Sequence, residues 1–236
     1  MSNYLVTDTD LTSVADAIRT KGGTSAQLTF PAGFVSAVEA IETGGGGEDT
    51  FAQICNGTTT TYESDELLQI PANVLRTATT LTVFKAPNLK DISTYALGGF
   101  RGTVIAMPGF TGNIYNNGYA FSGATTLTIV DIGPNVVRLV SHFFDGATAM
   151  NTLILRKTSI VTLNNANAFN NCPFKSGGAG GTIYIPKALY DALGTGTNDY
   201  KAATNWSTLD GYGTVTWAQI EGSIYETQYA DGTPIS

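Results

Sequence analysis

The stretch AFSGATTLTIVDI, beginning at Ala120, is written again as FFDGATAMNTLIL, beginning at Phe143. Each copy runs from a bulky aromatic residue through Gly-Ala-Thr to a short Leu/Ile-rich segment. The phrase continues on both sides, with segments opening at Val74, Ala96, Ala120, Phe143 and Ala168, in steps of 22, 24, 23 and 25 residues. A fixed period of this size constrains the fold more than any single motif, because each segment must then be one copy of the same small structural unit.

The chemistry inside the units repeats as well. Leu75, Leu97, Phe121, Phe144 and Phe169 place a bulky apolar residue near each opening. A short strand is expected next, in LTVF, GTVIAM, LTIV and TLIL, followed by a turn and a second apolar pair such as Leu89 and Ile92, or Ile160 and Leu163. One such unit cannot cover its own apolar face, whereas stacked units share a continuous core. A period of roughly 20–29 residues with one strand per turn predicts a solenoid of the leucine-rich-repeat class. The second unit lacks the GATTL phrase, so the array is irregular.

Residues 1–43 are built differently. Leu11, Val14, Ala15 and Ile18 fall on one face of a helix that Thr9 or Asp10 caps and Gly22 or Gly23 ends. Phe34, Val35, Val38 and Ile41 form the stripe of a second helix behind Pro31. Two helices this short are marginal alone, so the expectation is a helical hairpin that docks or oligomerises through Leu11, Val14, Ile18, Phe34, Val38 and Ile41. The four glycines of TGGGGED make residues 44–50 a flexible linker. Residues 51–236 then form the repeat domain. Its repeats run over about 74–182, an N-terminal cap over 51–73 precedes them, and a C-terminal cap over 183–236 follows. In that last cap Ile183 and Ile185 add a final strand, and Tyr200 and Trp206 lie over the open end. The expected class is α+β, mostly β, with a small helical hairpin ahead of the capped solenoid.

Charged residues are only 13% of the chain, against about 25% in ordinary soluble domains. With a net charge of -7 and no basic cluster beyond Arg156-Lys157, nucleic acid is discounted as a partner. No apolar run reaches the roughly 20 residues of a membrane span, and the N-terminus lacks the pattern of a signal peptide. Cys55 and Cys172 are expected as free thiols, with one disulfide as the alternative.

No catalytic constellation stands out. The single histidine, His142, adjoins Ser141, but a triad is a matter of spatial geometry rather than adjacency. One His and two distant Cys do not compose a zinc site. The carboxylates Glu63, Asp65, Glu66, Asp91, Asp131 and Asp145 are scattered, which argues against a paired-acid glycosidase. Neither GGGGED nor SGGAGG is followed by the Lys-Ser/Thr of a phosphate loop. The expectation is a protein that is not an enzyme and carries no cofactor or metal. A binding surface is the remaining reading. In GFTGNIYNNGYAF, Tyr115 and Tyr119 could stack on a sugar ring while Asn113, Asn116 and Asn117 supply amide hydrogen bonds.

Two parts of the chain resemble known families. The openings of the AFSGATTLT type, with the ending IYIPKALYDAL and YKAATNW, resemble the bacterial surface-antigen type of leucine-rich repeat, found on adhesins and in phage-encoded proteins. The segment YLVTDTDLTSVADAIRTKGGTSAQLTFPAGFVSAVEAI resembles the N-terminal module of tail-associated proteins of phages infecting Gram-positive bacteria. That resemblance implies a virion protein of the tail or baseplate, made in the host cytoplasm and released by lysis. It further implies anchoring to other virion proteins through the N-terminal module. The repeats would then bind a host cell-surface glycan or protein, or serve as a structural or decorative subunit. A depolymerase or an adhesin fragment is the remote alternative. A homo-oligomer is expected, with the trimer as the form common in tail fibres.

Overall fold

The computed structural model describes residues 7–22, 29, 48–112 and 118–235. The chain divides into two compact units, residues 1–45 and 46–236. In the first, helix α1 spans Asp8–Gly22. The Leu11 N–H donates to the Thr7 carbonyl, so the helix starts before Thr9 and Asp10, the expected caps, and both lie inside its first turn. Ala15 and Ile18 are buried, Leu11 is half-buried and Val14 is 49% exposed. Phe34, Val38 and Ile41 lie outside the described residues.

The second unit opens with α2 (Glu48–Ile54), which takes in residues 48–50 of the expected linker and buries Phe51 and Ile54. Among the described residues eleven strands follow: β1 (Thr61–Glu63), β2 (Gln69–Ile70), β3 (Val83–Lys85), β4 (Asp91–Ile92), β5 (Val104–Met107), β6 (Ile129–Ile132), β7 (Arg138–Leu139), β8 (Thr152–Leu155), β9 (Thr162–Leu163), β10 (Gly181–Ile185) and β11 (Val215–Gln219). Two short helices separate the last pair, α3 (Lys187–Asp191) and α4 (Trp206–Asp210). The described residues are therefore mixed, with strand predominating.

Every ladder between these strands is parallel. Five form one sheet in the order β11-β10-β8-β6-β5, while β1 pairs β3, β2 pairs β4 and β7 pairs β9. The register stacks Ile105, Val130, Leu153, Ile183 and Trp217 on the inner face, all of them buried. Residues 51–73, expected as the N-terminal cap, carry β1 and β2. There β1 and β2 already pair with β3 and β4, joined by the Thr82 hydroxyl donating to the Thr60 carbonyl 22 residues earlier.

The high Thr content has a structural reason. Thr80 donates to the Thr59 carbonyl, Thr126 to Gly102 and Thr128 to Thr103, at separations of 21, 24 and 25 residues. Each such bond ties one layer to the preceding one and contributes about 1 kcal/mol. The GATTL phrase is likewise a turn. Ala124 and Leu127 donate N–H groups to Phe121 and Ala124, as Ala147 and Met150 do to Phe144 and Ala147. In the second unit, which lacks the phrase, the buried Phe100 takes the position of that Ala, and its ring lies so close to Gly102 that a Cβ there would collide with it.

At the C-terminal end the aromatic residues Tyr200, Trp206 and Trp217 pack on one another, with Phe169 against Trp206. The Val161 N–H donates to the Tyr200 hydroxyl, Trp206 Nε1 donates to the Val161 carbonyl, and Asn205 Nδ2 donates to the Leu163 and Asn164 carbonyls. These side chains satisfy the edge of β9 that another strand would otherwise bond. Past β11 the chain turns back across the outer face of the large sheet, where Ile220 and Tyr225 bury Ile154.

Candidate binding surface

A left-handed turn precedes four of the five repeating units. Asn73, Tyr95, Tyr119 and His142 have φ of 65°, 56°, 60° and 61°. These are the residues immediately before the openings at Val74, Ala96, Ala120 and Phe143. A left-handed conformation costs a non-glycine residue about 1–2 kcal/mol, so its recurrence needs a compensating interaction. The backbone supplies one: the Tyr95 N–H donates to the Tyr119 carbonyl and the Tyr119 N–H to the His142 carbonyl. Turn stacks on turn, and the side chains stack with them.

The outcome is a half-exposed ribbon of rings. The Arg76 guanidinium lies 4.8 Å from the centre of the Tyr95 ring. Tyr95 stacks on Tyr119 at 5.2 Å, and Tyr119 on His142 at 4.5 Å with only 10° between planes. His142 Nδ1 and Asp145 Oδ2 are 2.8 Å apart, and Asn171 donates to the other carboxylate oxygen at 2.8 Å. A carboxylate at Nδ1 favours the tautomer with its proton there, so Nε2 is the ring nitrogen that Asp145 does not engage. Together these residues line up a cation, two phenols, an imidazole, a carboxylate and an amide.

Of the candidate ligand-binding residues, Tyr119 falls within this ribbon, while Asn113, Tyr115, Asn116 and Asn117 lie outside the described residues. Both faces of Tyr119 already carry a ring, so its edge and hydroxyl are what remain for a ligand, rather than the stacking face expected from sequence. Tyr95, His142, Asp145 and Arg76 join this surface beyond the binding residues expected from the sequence. The signal for three of the turn positions was present in the repeat register itself.

The other candidate chemistry disperses. Among the described residues His142 bonds Asp145, and no serine hydroxyl is bonded to it. Glu63 pairs with Lys85 at 3.3 Å, Asp91 accepts from the Thr111 hydroxyl, and Asp131 is buried against Arg156. Among the described residues no group of three or more His, Cys, Asp or Glu could hold a metal ion, and no helix is long and apolar enough to cross a membrane. Cys172 is buried, its thiol donating to the Phe144 carbonyl and pushed up to about 12 by burial. Cys55 is half-buried, and both cysteines are free. A shallow cleft lies between the first strands and the returning C-terminal segment, lined by Glu63, Asp65, Lys85, Pro87, Asp231 and Thr233.

No family model, curated protein or solved structure gives a significant match to the chain.

Proposed function

We propose that this chain is a non-enzymatic phage virion protein of the tail or baseplate. In this reading the N-terminal module anchors it to other virion proteins, and residues 51–236 are a leucine-rich-repeat-type solenoid that binds the host cell surface. The observation that carries the reading is the ribbon Arg76–Tyr95–Tyr119–His142–Asp145. It draws equivalent turn positions of successive units into one polar, aromatic surface. Such a surface suits a glycan, because ring edges, an amide and a carboxylate bond hydroxyl groups while the aromatic bodies exclude water. The inter-unit threonine bonds and all-parallel ladders support the solenoid, and the resemblance of residues 4–41 supports the tail location.

The test is binding of the labelled chain to Gram-positive cells. Saturable binding to some strains and not others, weakened about 10-fold or more when Tyr95 and His142 are both replaced by Ala, is the expected result. Absence of binding to every strain, with residues 1–45 alone retained on assembled virions, would make the protein a structural part of the particle instead.

A further inference from the structure

The two ladders that end at the C-terminal cap end differently. The β9 edge is closed by Tyr200, Asn205 and Trp206. Among the described residues the β11 edge has no such cover. Gly181 donates to the Thr214 carbonyl and Ile220 to the Ile185 carbonyl, so the even-numbered residues of this strand bond inward to β10. In a parallel ladder the bonding alternates, which turns the N–H and C=O groups of Val215, Trp217 and Gln219 outward. None of these groups has a recorded partner. Proteins usually blunt such an edge with charge, proline or a bulge. The segment VTWAQ has none of the first two, and its five residues pair with β10 in unbroken register.

We propose that β11 is an interface for a second copy of this chain, paired antiparallel about a two-fold axis through Trp217. Self-complementarity favours this occupant. With Trp217 opposite itself, Val215 meets Gln219 of the second copy and all three outward residues exchange both of their hydrogen bonds. No charged residue opposes a like charge within the pair. The flanks select the antiparallel sense. Lys175 sits on Tyr212 just before β11, with Nζ 3.2 Å from the tyrosine hydroxyl, and Glu221 lies just after β11. Antiparallel pairing sets Lys175 of one copy towards Glu221 of the other, whereas parallel pairing sets each towards its own equivalent; Asp210, bonded to the Trp217 indole, lies on the Lys175 side. This interface is separate from the N-terminal module and does not rest on host binding.

Two measurements on the full chain test it. Pro is tolerated on an edge strand where its missing N–H faced solvent, so Val215→Pro removes one outward donor and leaves the inward ladder intact. Sedimentation equilibrium should show association weakened about 10-fold or more in this variant. In the proposed pair Thr216 faces Ala218 of the second copy at a non-hydrogen-bonded position, with Cα atoms about 4.5 Å apart, within disulfide reach. The double variant Thr216→Cys with Ala218→Cys should therefore form an intermolecular 216–218 disulfide, identified by peptide mass mapping. Association through residues 1–45 cannot produce that link, and the link is readable even if Val215→Pro fails to fold. Equal association of wild type and a folded Val215→Pro, or oxidation without a 216–218 peptide, overturns the proposal.

Discussion

Arg156 grips Asp131 with two hydrogen bonds of 2.7 Å, from Nε and Nη2 to the two carboxylate oxygens, in a pair whose side chains are 8% and 0% exposed. The same guanidinium donates to the carbonyls of Tyr225 and Gln228, and the Ala230 N–H donates to Asp131. Tyr229 lies over the guanidinium at 4.6 Å. The pair therefore fastens the returning C-terminal segment to the outer face of the large sheet.

Replacing Arg156 by Leu strands a buried carboxylate, which costs about 3–5 kcal/mol. Burial pushes the Asp131 carboxyl above its ordinary value, while Arg156 and the Ala230 N–H pull it back. Without Arg156 less opposes the upward push, so the folded-state pKa rises further above the unfolded one. The neutral acid is tolerated at low pH, and the penalty grows as pH rises through the folded pKa. Urea unfolding of Arg156→Leu should show a larger loss near pH 7 than near pH 4. Protease should cut within residues 220–235 sooner than in wild type. Adding Asp131→Asn should recover part of the neutral-pH loss, and a pH-independent penalty would contradict the assignment.

Asp199 behaves in the opposite sense. Burial pushes its carboxyl up, but N–H groups of Gly196, Gly194, Lys201 and Ala202 outweigh that and hold it below its ordinary 3.8. A depressed folded pKa gives stability that is present above the unfolded value and lost as pH falls through the folded one. Fluorescence of Trp206 and Trp217 should report loosening of the cap only below that range. Asp199→Asn should cost about 1–3 kcal/mol at neutral pH and remove the acid transition.

The thiols offer a chemical check. Burial leaves Cys172 protonated, with its thiol bonded to Phe144, so Ellman's reagent should not reach it in the native protein. Two thiols should titrate after denaturation, and mass analysis should find no disulfide. Rapid native reaction at Cys172 would show that the core around Phe144 and Phe169 opens.

The period was legible because apolar positions such as Leu75, Leu97, Phe121 and Phe144 must all reach one core, and hydrophobicity reports burial directly. The first layer, β1 with β2, was hidden because it carries Thr59 and Thr60 without the GATTL phrase; backbone pairing demands less of a sequence than a tight turn does. Asp131 and Arg156 read as scattered charges, since nothing local marks two residues in neighbouring layers as partners. The ring ribbon was half legible. Tyr95, Tyr119 and His142 share a register position, but they differ in type, and only the repeated left-handed turn makes them equivalent.

That equivalence predicts how Tyr119 responds to substitution. At φ of 60° a β-branched side chain is strained and Asn is tolerated. Both remove the stack on Tyr95 and His142, so their difference isolates the turn from the ring. Tyr119→Val should be less stable than Tyr119→Asn by roughly 1–2 kcal/mol, measured by urea unfolding. Near-UV circular dichroism should lose the same aromatic signal in both. Equal stability would mean that the turn relaxes out of the left-handed region once the ring is gone. The stacking of Tyr95, Tyr119 and His142 would then be what holds the backbone ladder, rather than its consequence.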